Sequence, residues 1–227
     1  DTEKKISPEE KEYLDKDAKQ KLLMIGGCDL EGASRYLEGD FVVRKEFATV
    51  IDGYEVRTSD ISQLIYAKTL DELTKEELCK ELPFMHQSYT YTTDLYSGKY
   101  KIIVLSVVDD FIRAVFKRNE DSYYVTFGSY WNYEEELRMK FKEEELEYFR
   151  TNFTYQGRID VNVFKKNLEK IIKEISNSHL ILINGIDLDV SDWIGEDRVI
   201  RNREMNLAID EVLSRNPTVG LVDMRKI

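Results

Sequence analysis

At 227 residues and 42% hydrophobic content, the chain is long enough for one full-sized domain with a substantial core. Its 44 acidic and 33 basic residues give a formal net charge of -11, a field that repels phosphate backbones and anionic lipid, so neither nucleic acid nor a membrane is an expected partner. The longest apolar runs, such as Ile102–Val108, fall far short of the roughly 20 residues that cross a bilayer, and two cysteines are too few for a disulfide scaffold, which points to a reducing, cytoplasmic setting.

In "SPEEKEYLDKDAKQ", Ser7 stands at a helix N-cap position, Pro8 at the first helical position and acids in the first turn. A leading helix is therefore expected over residues 1–20, followed by an α/β domain over 21–227. "KLLMIGG" predicts a buried strand and "DLEGASRYLEG" the helix behind it. A second strand or strand pair follows in "DFVVRKEFATVIDGYEV", with a turn at Asp52-Gly53. "TSDISQLIYAK" and "TLDELTKEELCKEL" each open on a capping residue and show helical spacing, which places Cys79 in a helix as a small buried residue.

"YKIIVLSVVDD" has the continuous apolar run of a parallel-sheet strand, flanked by the aromatic-rich segments "HQSYTYTTDLYSGKY" and "SYYVTFGSYWNY". One long charged helix is expected from Tyr133 to about Phe153 and another from Val161 to about Ile175. The strand "HLILING", the helix "EDRVIRNREMNLAIDEVLSRNP" and the strand "TVGLVD" complete the chain. Strands alternating with helices imply an α/β domain with a mostly parallel sheet. The start on Asp and the end four residues after Asp223 suggest a piece of a longer protein, with other domains of the same polypeptide as partners.

In open α/β sheets the ligand site lies at the carboxyl ends of the strands, near the switch in strand order. That rule selects Gly26, Gly27 and Cys28 after the first strand, Asp109 and Asp110 after the central one, Asn184–Asp187 after "HLILI", and Asp223 after the last. A nucleophile at a strand-to-helix turn gains exposure and backbone N–H groups able to stabilise an oxyanion. Cys28 has that position; a helix N-terminus favours its thiolate, while Asp29 and Glu31 oppose it. The alternative is a small side chain at a tight turn.

The succession of "MIGGCDLEGASRYL", "YKIIVLSVVDDF", "LILINGIDLD" and "IRNREMNLAIDEVLSRNPTVGLVD" resembles the SGNH, or GDSL-type, hydrolase superfamily over about Lys21 to Asp223. It is nearest to the variants found in surface-polysaccharide and natural-product pathways. The resemblance implies a single three-layer domain with a five-stranded, flavodoxin-like sheet. It also implies an esterase or acyltransferase that works without a cofactor on acyl esters of a carbohydrate or small biosynthetic intermediate. The family's glycine-aspartate-serine block falls on Gly26, Gly27 and Cys28, so Cys28 stands for the nucleophile, with Gly27 and the Cys28 N–H serving the oxyanion. The block that carries the oxyanion-hole asparagine falls on Val107–Asp110, with Asp109 in the asparagine position; an ionised carboxylate only accepts hydrogen bonds, so the pattern departs here. Asn202 and Asn206 resemble structural polar positions of the family's last helix.

The family's Asp-x-x-His pair follows the last strand, and no histidine follows His179 in this chain. The base then lies beyond Ile227 or is absent, with His86 in "FMHQSYTY" as the substitute and His179 as a weaker one. Arg57 and Ser59 in "RTSDIS" follow the second strand, where such folds place a further oxyanion contributor; helix capping is their other reading. Asp110 joins the substrate-facing set. The aromatics of "SYYVTFGSYWNY" suit sugar stacking or simple packing. The pairs Asp109-Asp110 and Asp187-Asp189 have a cation's chemistry but no spacing that demands one, so no metal is expected. The competing functions are a degenerate, non-catalytic SGNH-like module that binds glycan or a partner domain, and a flavodoxin-like binding domain.

Overall fold

The computed structural model describes residues 19–226 except 53, 90, 122, 176 and 188–195. The expected leading helix lies outside the described residues apart from Lys19 and Gln20, which are not helical. β1 (Lys21–Gly26) is buried along all but its first residue, which explains its unbroken apolar run. A short turn of 3-10 helix at Cys28–Leu30 leads to α1 (Glu31–Leu37) and β2 (Val42–Phe47). The hairpin β3 (Thr49–Ile51) and β4 (Tyr54–Arg57) turns at Asp52, whose φ of 52° is the left-handed conformation such a turn requires. α2 (Ile61–Thr69) and α3 (Glu72–Glu81) start where Asp60 and Asp71 accept the N–H groups of Gln63 (3.3 Å) and Thr74 (2.9 Å).

β5 (Ile102–Ser106) and α4 (Val108–Ile112) precede β6 (Arg113–Arg118), β7 (Tyr124–Ser129), α5 (Tyr133–Lys140), α6 (Glu143–Asn152) and β8 (Phe153–Gly157). α7 (Val161–Glu174), β9 (His179–Ile183), α8 (Glu196–Arg215) and β10 (Gly220–Val222) follow, with a last 3-10 turn at Met224–Lys226.

The five strands β2-β1-β5-β9-β10 form one sheet in that order, and every pairing in it is parallel. Counted along the chain, this is the flavodoxin-like order of a doubly wound domain, with the switch between β1 and β5. The two-residue period of a strand divides its apolar side chains between the faces. Leu23, Ile25, Ile103, Leu105, Leu180 and Leu182 meet Ile61 and Leu64 of α2, Phe164, Leu168 and Ile171 of α7, and Met205, Ile209 and Val212 of α8. The alternate residues Leu22, Met24 and Val104 pack under Leu30 and Leu37 on the opposite face, completing three layers.

Between β5 and β9 the chain builds a second, antiparallel sheet in the order β7-β6-β8, with its own aromatic core of Phe84, Phe116, Phe127, Phe149 and Phe153. Here the structure corrects the single long helix expected from Tyr133 to Phe153: it is two helices, and Phe153 opens a strand. Phe141 breaks it. Its backbone is extended (φ -122°, ψ 152°) and its ring is buried 5.7 Å from Tyr54 and 5.9 Å from Phe127, while the Lys142 N–H donates to Glu145 at 2.9 Å to restart the helix.

Phe164 joins α7 to the main sheet with no exposed surface. Phe164→Ala is expected to cost about 3–5 kcal/mol of unfolding free energy in urea denaturation. Leu207→Ala, on the exposed side of α8, is expected to stay within about 0.5 kcal/mol of the parent protein.

Candidate functional site

The carboxyl ends of β1 and β5 meet so closely that a side chain on Gly26 has no room: a Cβ there would lie 2.7 Å from Leu30 Cδ1 and 2.8 Å from Ser106 Cβ. Beyond Gly26 the chain turns at Gly27. The Gly27 N–H donates to Asp29 Oδ1 at 3.0 Å, and Asp29 Oδ2 accepts the Ser106 hydroxyl at 2.6 Å, so Asp29 straps the turn to the end of β5. Cys28, next along the chain, is an exposed free thiol. Asp109, in the first turn of α4, faces this turn: a Cβ on Gly27 would stand 3.5 Å from its Oδ1. Its other oxygen, Oδ2, accepts the hydroxyl of buried Ser59.

Beneath Asp109 lies a layer of buried charge. Asp110 accepts the Ile61 N–H on both oxygens (3.1 and 3.2 Å), which ties α4 to the start of α2. Asp60 accepts the Thr126 hydroxyl at 2.9 Å, which ties the same helix start to β7. Buried Glu55 of β4 and largely buried Arg113 of β6 form an ion pair. Burial pushes the carboxyls of Asp60 and Asp110 upward, and their mutual repulsion raises Asp110 further. Burial also raises Glu55 against the pull of Arg113. Desolvation opposes the charge on Arg113, but Glu55, Asp109 and Asp60 outweigh it and hold the guanidinium protonated. A cavity of about 230 Å³ opens beside this cluster, lined by Asp109, Arg113, Phe127, Glu136 and Lys140 among others.

The structure thus brings Asp109, and through it Ser59, to the turn at Gly27 and Cys28; Asp110, expected to face substrate, is instead buried with both oxygens on the Ile61 N–H. The Gly27 N–H, an expected oxyanion donor, is already engaged by Asp29. Arg57 is held apart by other bonds: it donates to the Thr92 carbonyl at 3.0 Å and pairs with buried Glu46 at 3.3 Å, which also accepts from Thr93 and the Asp94 N–H. His86 bonds Ser88 through Nδ1 at 2.6 Å and, through its backbone N–H, the Glu55 carbonyl at 2.8 Å, contacts of its own loop and of the hairpin. His179 opens β9, at the amino edge of a parallel sheet and so opposite to Cys28.

After β9, Asn184 donates to Asp223 at 3.1 Å and accepts the Met224 N–H at 2.7 Å. Asn202 and Asn206 of α8 donate to the carbonyls of Ile186 and Gly185 at 2.5 and 2.8 Å, pinning the strand's exit loop. Asp189 lies outside the described residues. Among the described residues, no group of three or more His, Cys, Asp or Glu side chains is placed to hold a metal ion.

Sequence reasoning passed over Glu55, Asp60 and Arg113. The available signal was a charge set among apolar residues, as in "YEV" and "IRAVF", where a half-buried strand tolerates one only when it is paired. Fold and site together define a doubly wound α/β domain whose polar residues gather at the switch point of the sheet. No protein-family model matches the chain, and no curated protein sequence matches it.

Asp60 and Asp110 ionise at an ordinary value of 3.8 when unfolded and at a raised value when folded. The folded state therefore binds more protons in the window above 3.8, and the stability these groups confer at lower pH is lost as pH rises through that window. Asp110→Asn keeps an acceptor for the Ile61 N–H and removes one of the two titrations. Its unfolding free energy relative to the parent protein is expected to rise as pH is raised above about 4, read from urea titrations; parallel pH profiles would contradict the assignment.

Proposed function

We propose that this domain is an SGNH-like acyl-ester enzyme in which Cys28 takes up an acyl group. The observation that carries the reading is the Asp109 carboxylate set against the Gly27 turn, whose next residue is the exposed cysteine Cys28. In this reading Cys28 Sγ adds to the ester carbonyl carbon as its proton passes to Asp109, whose Oδ2 is held by the Ser59 hydroxyl. The tetrahedral oxyanion meets the Cys28 backbone N–H; the bond from the acyl carbon to the leaving alkoxide, or to the thiolate of a thioester donor, then breaks, and the leaving group takes the proton from Asp109. The resulting thioester passes its acyl group to a second hydroxyl, or to water, with release of the thiol.

A carboxylate is a weak base, so activated acyl donors suit this site better than simple alkyl esters. The sequence resemblance to SGNH-like proteins suggests, as the acceptor, a carbohydrate or a small biosynthetic intermediate of surface-polysaccharide assembly. Two free cysteines are compatible with a cytoplasmic setting. One observation favours a second reading, a non-catalytic SGNH-like module: the Gly27 N–H is spent on Asp29, which leaves the oxyanion one backbone donor fewer.

Acetyl-coenzyme A and p-nitrophenyl acetate serve as acyl donors, with peptide mass spectrometry to locate the adduct. The acyl group is expected on Cys28, Cys28→Ala should abolish it, and Asp109→Asn should slow its formation about a hundredfold. Full turnover by Cys28→Ala would sink the enzymatic reading. Absence of an adduct from both donors, together with binding to immobilised glycans, would replace it with the module.

A further inference from the structure

The seam between the two cores holds a cavity of about 510 Å³ that shares no lining residue with the Cys28 turn. It lies between α2, α7 and the strands of the second sheet, and its volume is that of a site for a small organic ligand. Ile65, Val115, Ile159 and the rings of Tyr66 and Tyr124 supply apolar walls.

Three of the polar groups of this cavity are donors that lack acceptors. Ser62 and Tyr66 stand one turn apart on α2 and so share a face. Ser62 is only 8% exposed, and its hydroxyl has no hydrogen-bond partner among the described residues. The Tyr66 oxygen accepts the Tyr124 N–H at 2.7 Å, but the phenolic hydrogen has no acceptor among the described residues. Burial pushes the Tyr66 phenol up to about 12, so it remains a donor through the physiological range. Lys170, across the cavity on α7, has no acid within ion-pair distance among the described residues.

Of the remaining charges on the lining, Arg158 pairs with Asp197 at 3.3 Å and lies over the Tyr130 ring, and Asp160 accepts the N–H groups of Asn162 and Val163 on Oδ1 as the cap of α7. Three donors without acceptors, one of them a cation, on an apolar cavity are complementary to an acceptor that carries negative charge.

We propose that this cavity binds a small organic anion, its apolar body between Tyr66 and Tyr124 and its carboxylate or equivalent oxyanion met by Ser62, Tyr66 and Lys170. The assignment is independent of the reading of Cys28, because it uses neither the thiol nor the switch-point carboxylates.

The test uses the full chain and anilinonaphthalene sulfonate, an aromatic anion whose fluorescence rises on burial, with neutral N-phenylnaphthylamine as its uncharged counterpart. Saturable one-to-one binding is expected, with the neutral compound at least fivefold weaker. Lys170→Glu should weaken the anion about tenfold or more, and should not weaken the neutral compound. Val163→Trp, introduced at the exposed rim, should fill the cavity and abolish binding of both. A retained cooperative melting transition and unchanged far-ultraviolet circular dichroism would show that each variant is folded. No saturable binding overturns the proposal, as does binding that survives Val163→Trp in a folded protein or that is lost when Cys28 alone is alkylated.

Discussion

A single guanidinium, Arg113, stands where the carboxylates of Glu55, Asp60 and Asp109 converge, and the geometry around the switch point depends on it. It is the first residue of β6, directly after the helix that bears Asp109 and Asp110, and its partner Glu55 belongs to the hairpin after β2. One ion pair therefore fixes the hairpin and the second sheet to the loop that leaves the central strand. Such a pair is weak evidence for net stability, because the desolvation of both ions offsets much of their attraction. Its effect is positional: with either partner alone, an uncompensated charge would remain in the protein interior, so the alternatives to this arrangement are costly.

The layer of carboxylates next to Arg113 is organised by the start of α2. The exposed N–H groups of a helix N-terminus favour negative charge, and Ile61 and Gln63 direct theirs at Asp110 and Asp60. Those bonds do not offset full burial and mutual repulsion, so the two acids titrate as a pair that keeps a proton above the normal carboxylate range. Asp109 differs from both. It is only partly covered, reaches a cavity, and keeps one oxygen toward the Gly27 turn. Three acids within two short segments thus hold different positions for one reason, their depth below the surface.

The main sheet was legible because parallel strands buried on both faces leave an unmistakable trace. "KLLMIG", "IIVLS" and "HLILI" carry few polar residues, and they are the strands at the centre of the sheet. The helices α2, α3, α7 and α8 were readable from caps and apolar spacing. The second sheet was not. Its strands are short, β8 is mostly exposed, and the run of glutamates around Phe141 has the composition of a continuous helix. Only the tertiary burial of that ring against Tyr54 and Phe127 breaks the pattern. At the candidate site, Gly27, Cys28, Asp109 and Asp110 could be singled out as candidates by their place after strands. Glu55 and Arg113 were not, since a buried pair is distributed over two segments that the sequence holds 58 residues apart.

Helix α2 borders both polar regions of the molecule. Its first turn is bonded to Asp60 and Asp110, and the face carrying Ser62 and Tyr66 lines the cavity between the cores. Shared borders are not coupling, which requires an element with two arrangements. The start of α2 has little freedom for a second: bonds from α4, from β7 and from its own cap hold it at once, and Ile61 and Leu64 pack in the main core. The consequence is rigidity. A wall that does not move presents its donors already oriented, so a ligand in the cavity loses little free energy to ordering Ser62 and Tyr66.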